Sequence, residues 1–110
     1  MSEAVFVQKG NVMDYTNGGA EAIAYLEVVP LVTRIGIAQE TIAVGATGSV
    51  GLDGVYQLPA DSTAAFVTGD ALYWDDTANK LTKTATDHTP AGFAFAAKAT
   101  AGTTAAVRIG

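Results

Sequence analysis

Apolar residues along this chain come in short runs, and each run closes on turn formers. Ala4-Val5-Phe6-Val7-Gln8 ends at Lys9-Gly10-Asn11, and Val12-Met13-Asp14-Tyr15-Thr16 ends at Asn17-Gly18-Gly19. Gly and Asn supply the positive φ that tight turns need, so both runs read as strands. In Ala22 to Val32, residues Ile23, Tyr25, Val29 and Leu31 share one parity, as a strand requires, although Glu27 shares it too. Pro30 argues against a helix there and places the strand at an edge or a bulge. Ile35-Gly36-Ile37-Ala38 and Thr41-Ile42-Ala43-Val44 read as two short strands or one bent one.

Gly45 to Gly51 is a glycine-rich loop or a thin strand, and Asp53-Gly54 is a turn before Val55-Tyr56-Gln57-Leu58-Pro59. Ala60 to Phe66 has room for one helical turn, with Asp61 or Ser62 as its N-cap. Leu72-Tyr73-Trp74 and Lys80-Leu81-Thr82 flank Asp75 to Asn79 and form the clearest hairpin of the chain. Thr82 to Pro90 is a polar loop. In Ala91 to Lys98, Phe93, Phe95 and Ala97 face one way and Gly92, Ala94 and Ala96 the other. Ala105 to Ile109 alternates so that Val107 and Ile109 point to the core and Arg108 outward. These runs predict an all-β fold, a small compact β-barrel or sandwich of eight to ten short strands, with at most one short helical turn. The 110 residues are expected to form a single domain, and no internal repeat stands out.

Composition narrows the function. Charged residues are 15% of the chain, below the roughly 25% of ordinary soluble domains, which suggests that a partner covers part of the surface. The net charge is −5, and the six basic residues are spread along the chain, so nucleic-acid binding is not expected. There is no Cys, which removes disulfide and thiolate chemistry. The longest apolar run is broken by Glu27 and Pro30, so no membrane span is expected, and no basic signal region opens the chain. The chain is expected to be made and kept in the cytoplasm.

Candidate chemistry is thin. His88 is the only His and lies in the polar loop Thr86-Asp87-His88-Thr89-Pro90. Adjacent side chains in an extended loop point apart, so Asp87 is poorly placed to orient it, and it reads as a solvated loop residue. One His without Cys argues against zinc. Asp70, Asp75, Asp76 and Asn79 offer oxygen ligands for a hard cation, but they are also the usual residues of a hairpin turn. Gly45 to Gly51 has no phosphate-loop Lys. No catalytic, metal or cofactor-binding residue is therefore assigned. Trp74 and Tyr73 lie on opposite strand faces, and sharing parity with Leu72 makes Trp74 the buried one.

Four pieces of the chain resemble the small tailed-phage head proteins known as capsid cement or decoration proteins. They are Phe6-Val7-Gln8-Lys9-Gly10-Asn11-Val12-Met13, Gly51-Leu52-Asp53-Gly54-Val55-Tyr56-Gln57-Leu58-Pro59, Gly69-Asp70-Ala71-Leu72-Tyr73-Trp74-Asp75-Asp76, and the tail Pro90-Ala91-Gly92-Phe93-Ala94 with Val107-Arg108-Ile109. They follow the family's order and span nearly the whole chain. Ala22 to Val32 departs from the pattern by being more apolar and carrying Pro30, which puts the local strand register in question. The resemblance implies a non-enzymatic head protein of a phage or prophage, carried on the virion. It would bind the major capsid protein from outside and stabilise the shell, as a homotrimer. Val5, Phe6 and Val7 are candidates for that interface, either by adding a strand to a neighbour's sheet or as the first strand of the chain's own barrel. Two other classes stay open on the residues alone. One is a carbohydrate- or ligand-binding β-domain using Trp74, Tyr73 and Tyr56. The other is an enzyme, either a hydrolase using His88 or a nucleotide-dependent recombinase.

Overall fold

A computed structural model describes residues 3–5 and 10–110. Among them are nine strands and no helix: β1 (Val12–Thr16), β2 (Val28–Leu31), β3 (Arg34–Ala38), β4 (Thr47–Gly51), β5 (Gly54–Pro59), β6 (Ala71–Asp75), β7 (Lys80–Thr82), β8 (Thr89–Ala94) and β9 (Thr104–Ile109). All pairings between named strands are antiparallel. One sheet runs β1-β4-β3-β2 and the other β5-β9-β8-β6-β7. The all-β expectation holds, as a small two-sheet sandwich.

The two sheets are copies of one topology. Setting β7 aside, β5-β9-β8-β6 repeats the order β1-β4-β3-β2. The intervals repeat as well. Asn17 to Ile23 matches Ala60 to Phe66, Ile23 to Val28 matches Phe66 to Ala71, and Ala38 to Ile42 matches Ala94 to Lys98. Isolated bridges join Ile23 to Ile42 and Phe66 to Lys98. The connecting bonds recur: Asn17 N–H donates to Ala46 O as Ala60 N–H donates to Thr103 O, and Ala38 N–H donates to Glu27 O as Ala94 N–H donates to Asp70 O. Ala38 pairs with Val50 as Ala94 pairs with Val107, and Val29 opposes Gly36 as Leu72 opposes Gly92. The repeat that hydropathy does not reveal is therefore present in the backbone.

Strand β3 is buried on both faces, which is why Ile35-Gly36-Ile37-Ala38 is uniformly apolar. Ile35 and Ile37 join the larger core with Leu72, Trp74, Val107 and Ile109, where β3 packs on β8 and β9. Gly36 and Ala38 face the smaller core of Val29, Ile42 and Val50. Gly36 has no side chain because a Cβ there would collide with Val50 Cγ1. Gly45 to Gly51 resolves into a turn and β4, which lies between β1 and β3. The second sheet comes close to closing on itself. Ala60 bridges Leu81 in parallel, and Asp61 N–H donates to Leu81 O at 2.9 Å, which brings β7 against the end of β5.

Three expectations need correction. Ala22 to Val32 is not one strand: a turn at Tyr25–Leu26 breaks it, and only Val28–Leu31 pairs in a ladder. Thr41 to Val44 contributes one bridge at Ile42 rather than a strand. Ala60 to Phe66 holds no helical turn. The Asp61 carboxylate accepts hydrogen bonds from Thr63 N–H and Oγ1 and closes a local turn, and the chain then extends to the Phe66 bridge. The parity of the last strand is as expected, with Val107 and Ile109 buried and Arg108 exposed. Phe93 and Phe95 turn out to solvent, while Ala91 and Ala94 are buried. A bulge at Ala91, between the pairs Leu72–Gly92 and Tyr73–Pro90, shifts the register of β8.

Candidate functional site

The residues singled out for chemistry are used by the fold. Asp75 Oδ1 accepts from Thr77 N–H at 3.0 Å and Ala78 N–H at 3.1 Å, and Asp70 Oδ2 accepts from Val67 N–H at 2.8 Å and pairs with Lys83. These carboxylates close their own turns, and their pKa values lie below the ordinary carboxylate value. The main cause for Asp75 is the Ala78 N–H, and for Asp70 the Val67 N–H. No group of three or more His, Cys, Asp or Glu side chains converges as a metal site among the described residues. His88 is not a solvated loop residue. Its Nδ1 donates to Thr84 O at 2.8 Å, its Nε2 lies 3.5 Å from Asp75 Oδ2, and the ring pins the 84–88 loop to the hairpin. Its carboxylate neighbour is Asp75, not Asp87.

The aromatic platform does not form. Trp74 is 4% exposed and belongs to the larger core, so its ring faces are closed to a sugar. Tyr73 lies on the other face of β6, and the Tyr56 hydroxyl meets Gln39 Nε2 at 3.3 Å.

What remains is surface available to a partner. Val5 is 83% exposed and outside any strand, while Phe6 and Val7 lie outside the described residues. Among the described residues, strand β1 is an edge with no strand on its outer side. The flanking bonds Leu52 N–H to Asn11 O and Asn17 N–H to Ala46 O set its parity, so Val12, Asp14 and Thr16 turn their backbone groups away from β4. The other edge of that sheet, β2, is blunted by Pro30, which has no N–H to offer. In the second sheet the Ala60–Leu81 bridge brings the two edges together.

A second cluster, missed in the sequence, lies along β2. Tyr25 and Leu26 are exposed at the tip of the turn before it, and Val32 is 96% exposed at the tip of the β2–β3 hairpin. Leu26 and Val32 both have positive φ, at 69° and 48°. Such backbone costs on the order of 1 kcal/mol or more for a residue with a Cβ. Hydropathy offers no warning of this, because an apolar residue in a turn reads as one more strand residue. Beside Leu26 a cavity of about 310 Å³ opens between the two halves, lined by Leu26, Glu27, Val28, Leu58, Pro59, Trp74, Asp76 and Asn79.

A family model described as phage cement protein matches residues 7–109, nearly the full chain. Searches of curated proteins and of solved structures return no significant match.

Proposed function

We propose that this chain, which belongs to the phage cement protein family, binds the outside of a phage or prophage capsid and stabilises it. Membership supports a capsid decoration role and a place in the virion. The finer reading adds contact with the major capsid protein, assembly as a homotrimer, synthesis in the host cytoplasm and no turnover activity. The family match is the observation that carries it. The open edge of β1 and the exposed apolar residues of the first half support it, because a cement protein needs surface that a neighbour completes. Val5, Phe6 and Val7 are proposed to dock as an added strand on a neighbouring chain. A closed trimer would multiply weak contacts at one capsid site.

Two measurements test this reading. Light scattering after gel filtration is expected to give about three times the 11.2 kDa chain mass. Co-sedimentation with expanded, cement-free shells of the encoding phage is expected to retain the protein with the shells and raise their melting temperature. A chain that stays monomeric and never sediments with shells defeats the proposal.

A further inference from the structure

Three turns that follow an isolated bridge share one backbone geometry and differ in whether glycine fills the left-handed position; a fourth, Ala99–Gly102, has no positive φ at Ala101. Ala24–Glu27, Ala43–Ala46 and Val67–Asp70 are each closed by the fourth residue's N–H on the first residue's carbonyl. The third residue has positive φ in each: Leu26, Gly45 and Gly69. Gly adopts this conformation freely, whereas Leu is strained there. Leu26 remains 51% exposed, so its own burial does not offset the strain. What it does is wall the cavity between the two halves.

That cavity has three kinds of lining. Leu26, Val28, Leu58 and Pro59 supply apolar walls. Trp74 lines it too, and its indole N–H is buried with no hydrogen-bond partner among the described residues. A buried donor without an acceptor is costly, and buried Trp N–H groups usually find one. Glu27 and Asp76 supply two carboxylates, neither in an ion pair among the described residues, and Glu27 Oε1 makes only a 3.4 Å contact with Ala24 N–H.

The geometry points to this cavity as a receptor for one basic side chain, a lysine or arginine presented on an extended segment of the shell protein. The inference rests on the cement reading for its source. The alkyl stem lies along Leu26, Leu58 and Pro59, and the cationic head reaches Glu27 and Asp76. The Trp74 indole forms part of the wall that the same segment covers. The volume suits a single long side chain, at the small end of ligand pockets. The chain's net charge of −5 favours a basic partner.

The single Trp makes the site directly observable, because the intact protein has one indole N–H resonance. Titration at low salt with Nα-acetyl-lysine methylamide or its arginine counterpart is expected to shift that resonance saturably, and Nα-acetyl-glutamate methylamide is not. On cement-free shells, the double variant Glu27→Gln, Asp76→Asn is expected to bind roughly fivefold to tenfold more weakly with an unchanged melting temperature. Leu26→Gly is expected to melt higher and yet bind shells more weakly, a split that a purely structural role would not produce. Equal shell binding by both variants and the natural chain overturns the inference. A natural chain that ignores shells overturns the cement reading instead, and an indole unmoved by the cationic amides then overturns the cavity assignment as well.

Discussion

In the first half of the molecule the loops around the sheet are tied by Asn17, and in the second the same task falls to Lys98. Asn17 is 2% exposed. Its Nδ2 donates to Glu21 O at 2.9 Å and Ile42 O at 3.0 Å, and its Oδ1 accepts from Gly19 N–H at 3.0 Å. The matching position in the second half is Ala60, which has no polar side chain. There Lys98, 7% exposed, sends Nζ to the carbonyls of Ala99, Thr100 and Gly102 and lies 4.9 Å from the centre of the Phe66 ring. The residue matching Lys98 is Ile42, which is apolar. One topology is thus closed by two different polar anchors. What the fold demands is that buried carbonyls find donors, not that a particular residue supplies them.

The glycines that let each half's strands approach give the sharpest contrast. Gly92 has φ +145°, and a Cβ there would overlap the Arg108 backbone carbonyl. Gly36, its counterpart, is limited by a side chain, Val50 Cγ1. Gly92→Ala is expected to cost more than about 4 kcal/mol, because a backbone cannot step aside, and to leave little folded protein in a urea or thermal melt. Gly36→Ala is expected to cost about 3 kcal/mol by overpacking. Much of that loss should return in Gly36→Ala, Val50→Ala. An additive double variant would show that Val50 is not the obstacle.

Asn17→Ala orphans the Glu21 carbonyl and the Gly19 N–H, leaves Ile42 O with only the Ile23 N–H, and is expected to cost about 2 kcal/mol in urea unfolding. Lys98→Met keeps the alkyl packing on Phe66 and loses the donors, so about 1.5 kcal/mol is expected. Hydrogen exchange should localise the first loss to the 17–21 and 42–46 loops and the second to the 98–103 loop. Equal loosening of both halves by either variant would mean that the anchors are not local to their halves.

The same contrast explains what the sequence could and could not reveal. Six short antiparallel runs were legible: β1, β5, β6, β7 and β9 from β-prone residues bounded by turn formers, and β3 from a short, wholly apolar run; all lie where the pattern places them. The hairpin at Trp74 and the burial of its ring were legible from parity with Leu72. The duplication was not, because its halves share spacing and register but replace Ile23, Ile42 and Asn17 with Phe66, Lys98 and Ala60. Nor were Leu26 and Val32 legible as surface residues, since only the backbone records that each sits in a left-handed turn. The family was legible in motifs placed at turns and strand starts, such as Gly69-Asp70 and Asp53-Gly54, where backbone geometry restricts the choice of residue most tightly.

The smallest expected effect concerns acid. Asp61, Asp70 and Asp75 all belong to the second half, and each has its pKa lowered from the ordinary value of 3.8. The Thr63 hydroxyl is the main cause at Asp61, the Val67 N–H at Asp70 and the Ala78 N–H at Asp75, with Lys83 adding to Asp70 and His88 to Asp75. Depressed folded-state values mean that the unfolded chain binds more protons in this range, so stability rises with pH across it. The contribution is complete above 3.8 and is lost as pH falls through the folded-state values. All three carboxylates are solvent-facing, which keeps the effect small. Acid is therefore expected to loosen the turns around Asp61, Asp70 and Asp75 while the Asn17-tied loops hold, as read by hydrogen exchange below pH 3.8. Asp61→Asn, Asp70→Asn, Asp75→Asn keeps acceptors for the three turns but cannot titrate, so its urea midpoint should vary less with pH. An unchanged slope in that variant would place the acid sensitivity elsewhere in the chain.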